Sequence, residues 1–335
     1  MQKILLYKYG SKNSYKYIDI AEKEKLSVGQ VRVDIKYIGI SFTDLIIKKG
    51  LYKYQKDNYP LPFCQGFEFS GVISEVTSDE YEYEVGEEVC GLVKFGCFAN
   101  KIIINKNNIF KIPKTYSLKE AITFPVNFFT AYHALCNIVK IKKDSVVMIY
   151  SGAGGVGGMI LQLSKILGYK TIAIVSNKEK EMYVKNLGAD FVFCGDVLNN
   201  LKKNNIKVDI VFDSNGTFNI NEFNDVLSLN SKIIVLGFNS LLTKNIFRNI
   251  LNYFSLLKPK IFDLVYNNIT VSGFNIIKFT EDGDYFKETK SELQKYLNDE
   301  KLIIPKIREY QFSEMEEAIE SLSDRNNFGK VIIKI

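Results

Sequence analysis

The stretch SVVMIYSGAGGVGGMILQLSKILGYKTIAIVSNKEKEMYVKNLGAD, residues 145–190, decides the fold of this chain. It opens on a short apolar run, Val146 to Tyr150, rich in β-branched residues and closed by glycine, as a buried parallel strand should be. Glycines then stand at Gly152, Gly154 and Gly157, so the turn spells GAGGVG and meets the G-x-G-x-x-G spacing. Val156, Met159, Ile160, Leu163, Ile166 and Leu167 recur at helical intervals, and Gly168 supplies a stop. A second apolar run, Thr171 to Val175, completes a strand–helix–strand unit. The first glycine permits the tight turn, the second lets backbone approach a pyrophosphate, and the third lets helix pack on strand. The unpaired N–H groups of the helix start then face the anion. A G-x-G-x-x-G by itself is a weak signal. Between a strand and a helix, with the next strand following, it marks Gly152, Gly154, Gly155, Val156 and Gly157 as a dinucleotide cradle.

The end of the second strand chooses between dinucleotides. An NAD site usually carries an acid there for the ribose hydroxyls. No Asp or Glu occurs between Ser145 and Lys178, and the chain offers Ser176, Asn177, Lys178 and Lys180 instead. Hydroxyl plus ammonium suits a 2′-phosphate, so NADP(H) is expected over NAD. The bland alternative is a solvated helix start in a chain with 44 Lys+Arg.

A chain of 335 residues is long enough for two domains, each with its own core. Its 46% hydrophobic and 24% charged residues are ordinary for a globular protein. No apolar stretch approaches the ~20 residues that span a bilayer, and the N-terminal apolar run is too short for a signal peptide. A cytoplasmic location is the expectation. The net charge of +6 is spread as scattered lysines without a basic block, so no nucleic-acid partner is expected. The five cysteines are widely spaced and form no C-x-x-C pair, as in a reducing compartment.

Up to about Tyr116 the pattern is β-rich. Gln30 to Ile38 and Phe69 to Val76 alternate, and Glu88 to Val93 and Lys101 to Ile104 read as further short strands. One helix is expected over Ser41 to Lys49. A β-barrel-type domain follows from this pattern. From Ser117 the period changes, with a Ser-x-x-Glu capping box at Ser117–Glu120. Strands and helices then alternate: Tyr169 to Val175, Lys178 to Leu187, Phe191 to Phe193, Val208 to Phe212, Ile220 to Leu229, Lys232 to Gly237 and Ile269 to Phe274. This is a doubly wound parallel sheet, an α/β fold. Gly283 to Asp299 and Ser313 to Ser323 read as helices and Val331 to Ile335 as a last strand. The C-terminus is expected to return to the first domain, with substrate held between the two domains.

Several stretches together resemble the medium-chain dehydrogenase/reductases, and more closely their zinc-independent quinone oxidoreductases of the vesicle-amine-transport-protein-like branch. They are ISFTDLIIKKGLY (40–52), GFEFSGVI (66–73), FPVNFFTAYHAL (124–135), the glycine turn, VDIVFDSNG (208–216), KIIVLGFNSLLTKN (232–245), VSGF (271–274) and NNFGKVII (326–333). The resemblance implies a GroES-like catalytic domain over residues 1–117, a Rossmann NADP-binding domain over 118–276, and a C-terminal return over 277–335. In the zinc-dependent cousins a Cys before the first helix and the His of a G-H-E motif ligate the metal. Here those positions hold Ser41 and Phe67, and the four-cysteine structural lobe is missing, so no metal is expected. The only histidine, His133, reads as a packed or surface residue.

Without a metal or a usable base, reduction of an electron-poor acceptor asks least of the protein, because the cofactor carries the chemistry. The resemblance implies hydride transfer from NADPH to a quinone or an α,β-unsaturated carbonyl. It assigns Tyr52 to the substrate pocket, to stack or to donate a hydrogen bond, with Asp44 and Ser41 beside it. It assigns Asn127, Thr130, Gly237, Phe238, Phe274, Asn327 and Lys330 to the cofactor. The family often has Asn at the Ser41 position, and related NADP enzymes often have Tyr near Gly195. Two other readings stay open: an NADP-binding protein with vestigial catalysis, acting through a protein, membrane-surface or RNA partner, and an enoyl-thioester reductase, which needs converging basic groups. A homodimer formed through the edge of the parallel sheet is expected.

Overall fold

The computed structural model describes residues 1–335 except 11, 22–23, 81, 141, 243–260, 325 and 327. The first part of the chain forms β1 (Gln2–Leu6), β2 (Tyr15–Asp19), β3 (Gln30–Ile40), β4 (Phe63–Cys64), β5 (Glu68–Val76), β6 (Glu88–Leu92), β7 (Lys101–Asn105) and β8 (Ile109–Lys111). The parallel series is β9 (Val146–Tyr150), β10 (Lys170–Val175), β11 (Phe191–Cys194), β12 (Val208–Asp213), β13 (Leu227–Val235) and β14 (Thr270–Gly273). The chain closes with β15 (Ile307–Gln311) and β16 (Lys330–Lys334). Backbone proximity groups Met1–Phe129, Ile276–Asp324 and Gly329–Ile335 into one unit, and Thr130–Asn275 with Arg325–Phe328 into another.

The first unit is built on β3, whose alternation works as read: Val31, Val33 and Ile35 are buried while Arg32 and Asp34 between them are partly exposed. A seven-stranded sheet runs β15-β16-β3-β5-β6-β8, with β7 also pairing β3, and a smaller sheet runs β2-β1-β4. This is the GroES-like part of a two-domain α/β fold. The helix Phe42–Lys48 follows β3 directly, with Ser41 as its N-cap. Its Lys48, 4% exposed, pairs with Glu316 at 3.1 Å and with Glu320, tying it to the helix Met315–Ser321.

The second unit is a six-stranded parallel sheet in the order β11-β10-β9-β12-β13-β14. The strand order reverses at β9, which makes its C-terminal end the switch point where a doubly wound sheet takes ligands. Met148, Ile172, Phe193, Val211, Phe218 and Ile233 belong to one core cluster of this unit. The helix Gly155–Ile166 buries Met159, Ile160 and Leu163 of the expected apolar period, and Leu161 besides, whereas Val156 is half-buried and Ile166, 41% exposed, turns outward at the helix end.

One helix expected from the sequence is cut short. Helical structure over Ile220–Phe223 and one 3-10 turn, Asn224–Val226, give way at Leu227 to β13. Leu227 pairs with Val208, and Asn230 adopts φ 65° where the β12–β13 register shifts. Pairing along the sheet overrides a weak helical preference there. The short strands β1, β2 and β15 carry little periodic signal, and the sequence does not announce them. Among the described residues no helix is long and apolar enough to cross a membrane.

Candidate active site

In the second unit the glycine turn lies at the C-terminal end of β9. Ser151 takes φ 56°, the N–H of Gly154 donates to the Ser151 carbonyl at 2.9 Å, and Gly154 is the N-cap of Gly155–Ile166. A Cβ on Gly157 would stand 2.4 Å from the Ser151 oxygen, so only glycine lets this helix start close so tightly on the turn. Gly155, Val156 and Gly157 form the first helical turn, whose N–H groups have no intrahelical acceptor. The arrangement suits an anion.

Ser176 and Lys180, joined in the sequence only by spacing, meet in space. The Lys180 ammonium donates to Ser176 Oγ at 3.0 Å, and the residue is only 6% exposed. Its Nζ stands 5.9 Å from the centroid of the Phe328 ring, within cation–π range. Phe328 packs on Tyr183 with ring centroids 5.1 Å apart, and Asn177 Nδ2 donates to Asn326 Oδ1 at 3.4 Å. Sequence reasoning misses Phe328 as a site residue although it lies within the NNFGK motif, because nothing local links it to a lysine so distant in sequence. A cavity of about 190 Å³ adjoins the ends of β10 and β11, lined by Val175, Lys178, Glu181, Phe193, Cys194 and Asn200 among others. Gly195 follows β11 with φ 86°.

Gly237 and Phe238 follow β13, where the Leu236 N–H donates to the Asp213 carbonyl at 2.8 Å. The loop after β13 therefore runs beside the end of β12. Asp213 accepts from the N–H groups of Asn215, Gly216 and Phe218 at 2.8–3.0 Å, while burial raises its pKa. The Phe274 ring lies 4.7 Å from that of His133, which is 7% exposed and whose pKa burial lowers. Thr130 is half-buried in the helix Pro125–Tyr132. Asn327 lies outside the described residues.

In the first unit Ser41 and Asp44 form a closed pair. The backbone N–H and the hydroxyl of Ser41 both donate to Asp44 Oδ2, at 2.9 and 3.1 Å. Asp44 Oδ1 is buried without a hydrogen-bond partner. Burial pushes the Asp44 pKa up to about 7, against the Ser41 hydrogen bonds and the nearby Lys330 ammonium, while the Glu68 carboxylate adds to the rise. Lys330 is 3% exposed and paired with Glu68, itself fully buried. The other Glu68 oxygen accepts from the Val126 N–H at 2.9 Å. Gly39 faces this carboxylate across β3 and β5, and a Cβ there would lie 2.5 Å from the Glu68 side chain. Asn127 is buried, donating to the Thr123 carbonyl at 2.8 Å.

Tyr52 caps the helix Lys53–Asn58 and is half-buried, its ring 6.2 Å from Tyr54 and steeply inclined to it. It begins a run of rings that ends at Phe67, 1% exposed and 5.3 Å from Phe95. Ser41 and Phe67, which the resemblance sets against the zinc ligands of the metal-dependent cousins, are here a hydroxyl bonded to Asp44 and a buried phenyl ring. These groups do not fit zinc. Among the described residues no three His, Cys, Asp or Glu side chains are grouped to hold a metal ion.

Comparison with known proteins agrees with this two-part geometry. Residues 27–114 match the model of the alcohol dehydrogenase GroES-like domain, and residues 155–291 match that of a zinc-binding dehydrogenase. The chain is 26% identical over 339 residues to a zebrafish (Danio rerio) synaptic vesicle membrane protein VAT-1 homolog, covering 98% of this chain and 69% of that protein. It is 25% identical over 325 residues to a probable quinone oxidoreductase of Leishmania amazonensis, covering 93% and 91%. The Escherichia coli quinone oxidoreductase solved in complex with NADPH superposes with a TM-score of 0.84 over 100% of both chains at 21% identity, which speaks to the fold.

Proposed function

Because the chain belongs to the medium-chain dehydrogenase/reductases, in their quinone oxidoreductase family with VAT-1-like relatives, we propose that it is an NADPH-dependent reductase of quinones or α,β-unsaturated carbonyls. The observation that carries the cofactor assignment is the buried Lys180 ammonium held against Ser176 at the end of β10, where an NAD site would carry an acid. The NADPH bound to the Escherichia coli quinone oxidoreductase supports it.

Bound NADPH supplies the hydride, so that quinone, NADPH and a proton give hydroquinone and NADP⁺. The chain's own groups bind and orient. Gly152, Gly154, Gly155, Val156 and Gly157 offer backbone N–H groups to the pyrophosphate, and Ser176 and Lys180 take the 2′-phosphate. Thr130, Gly237, Phe238 and Phe274 are assigned to the nicotinamide end, with Asn127, Asn327 and Lys330. Tyr52 serves the acceptor as stacking partner or hydrogen-bond donor, with the Ser41–Asp44 pair as the other polar groups assigned to the reaction. A homodimer through the β14 edge belongs to the same reading.

One observation favours a second reading, a cofactor-binding protein without turnover. Ser41 and Lys330 are both engaged inside the first unit, by Asp44 and by Glu68. Oxidation of NADPH and of NADH by ortho-quinones, para-quinones and enones decides between the two. Turnover with NADPH supports the reductase, and saturable NADPH binding without turnover supports the alternative. In Lys180→Met the dissociation constant of NADPH should rise about tenfold relative to that of NADH, since one charge-assisted contact to phosphate is lost. Equal effects on both would remove the case for NADP.

A further inference from the structure

Asp44 is an acid that its helix does not require to be buried. It is the third residue of Phe42–Lys48 and accepts from the N–H of the N-cap Ser41, a capping bond that needs one carboxylate oxygen and no burial. Asp44 is nevertheless fully buried, and its Oδ1 has no hydrogen-bond partner. Among the described residues the carboxyl is bonded by Ser41 alone, through the N–H at 2.9 Å and the hydroxyl at 3.1 Å, both on Oδ2. Ser41 is half-buried, so its hydroxyl is the exit from this acid toward solvent or a ligand.

The charges around the acid favour its keeping a proton. Lys330 from β16 is paired with Glu68 from β5, and both are buried, so that ammonium already has its carboxylate. Lys48, on the helix of Asp44, is engaged by Glu316 and Glu320. Tyr15 from β2 and Cys97, ahead of β7, also sense the Asp44 charge; burial pushes both groups up, so neither is charged near neutral pH. The Gln65 amide donates to the Asp44 backbone carbonyl, at 3.1 Å. An ionised Asp44 would set a second buried anion against one ammonium, whereas a protonated Asp44 leaves the Asp44–Glu68–Lys330 group neutral. Burial, with the Glu68 charge adding to it, pushes the Asp44 pKa up to about 7, in keeping with that balance.

We propose that Ser41 gives the reduced acceptor its proton and that Asp44, acting through Ser41, replaces it. The inference rests on the reductase reading and assigns the one proton that the reaction consumes. A protonated Asp44 reverses the 3.1 Å contact, its O–H donating to Ser41 Oγ, and turns the Ser41 O–H outward. A quinone that has taken up hydride is a hydroquinone monoanion. The Ser41 O–H bond breaks as the second phenolic O–H forms, the Asp44 O–H breaks as that of Ser41 is restored, and water returns a proton to the carboxylate.

The test uses NADPH with two acceptors, 1,4-naphthoquinone and 2,3-dichloro-1,4-naphthoquinone, whose chlorines make the hydroquinone more acidic and its protonation less needed. Ser41→Ala and Asp44→Asn should lower kcat about a hundredfold with the first quinone and about threefold with the second. Ser41→Thr keeps the hydroxyl and should retain most of the kcat. In the unsubstituted protein kcat with 1,4-naphthoquinone should fall as pH rises from about 6 to about 8, because the carboxyl loses its proton, and Asp44→Asn should lack that fall. A flat profile in the unsubstituted protein would overturn the proton path whether or not the variants fold. Equal losses with the two quinones would also overturn it and leave the reductase reading standing, since a structural defect does not sense the acidity of the product. If NADPH binds saturably and no quinone is reduced, the reductase reading fails and the proton path with it.

Discussion

At the scale of single residues, Asp44 is the most informative side chain. One carboxylate oxygen is bonded twice by Ser41 and the other is buried with no partner, so burial dominates and lifts its pKa from 3.8 to about 7. A group that holds its proton more tightly in the folded chain adds stability below its unfolded pKa and loses it as pH rises through the folded one. Asp44→Asn cannot ionise. Its unfolding midpoint in urea should therefore gain on the wild type as pH climbs from about 4 to about 7, and the difference should level off above that. A difference independent of pH would mean that Asp44 titrates as an ordinary carboxylate. Sequence reading places Asp44 and Ser41 near the chemistry by resemblance. Their mutual hydrogen bonds follow from the short helical spacing, but the unbonded oxygen depends on what the fold packs around it.

At the scale of elements, two short-range constraints hold the site frame. The strand–turn–helix of β9 and Gly155–Ile166 needs glycine at 157, since any Cβ would meet the Ser151 carbonyl. Gly157→Val should abolish NADPH binding, measured by titration calorimetry, while far-UV circular dichroism stays close to that of the unchanged chain; retained affinity would sink the assignment of the cradle. The second constraint joins β3, β5 and β16 through Glu68 and Lys330. Glu68→Ala leaves a buried ammonium unpaired and should cost about 3–5 kcal/mol in chemical denaturation. A loss below about 1 kcal/mol would mean that water reaches Lys330 once the carboxylate is gone. The motif GFEF is legible in the sequence as a departure from a zinc motif. The partner of its glutamate is not, because Lys330 lies 262 positions away.

At the scale of the molecule, the helix Ile261–Asn267 ahead of the edge strand β14 carries, among the described residues, four exposed large apolar side chains. Ile261, Phe262, Val265 and Tyr266 are 71–87% exposed. If this edge joins two copies, Val265→Lys should shift the protein to a monomer in sedimentation velocity, and an unchanged mass would place the association elsewhere or remove it. The amino-acid order is enough for the parallel sheet, the glycine turn between β9 and its helix, and the alternation of β3. Those rest on local period and on steric demands of single positions, both of which are written in neighbouring residues. It takes the folded chain to bury Lys180 between Ser176 and Phe328, to spend Lys330 on Glu68, and to bury Asp44 near that pair. Each of these joins residues far apart in the chain, and whether a charge is solvated or paired depends on the packing that surrounds it, which no local pattern carries.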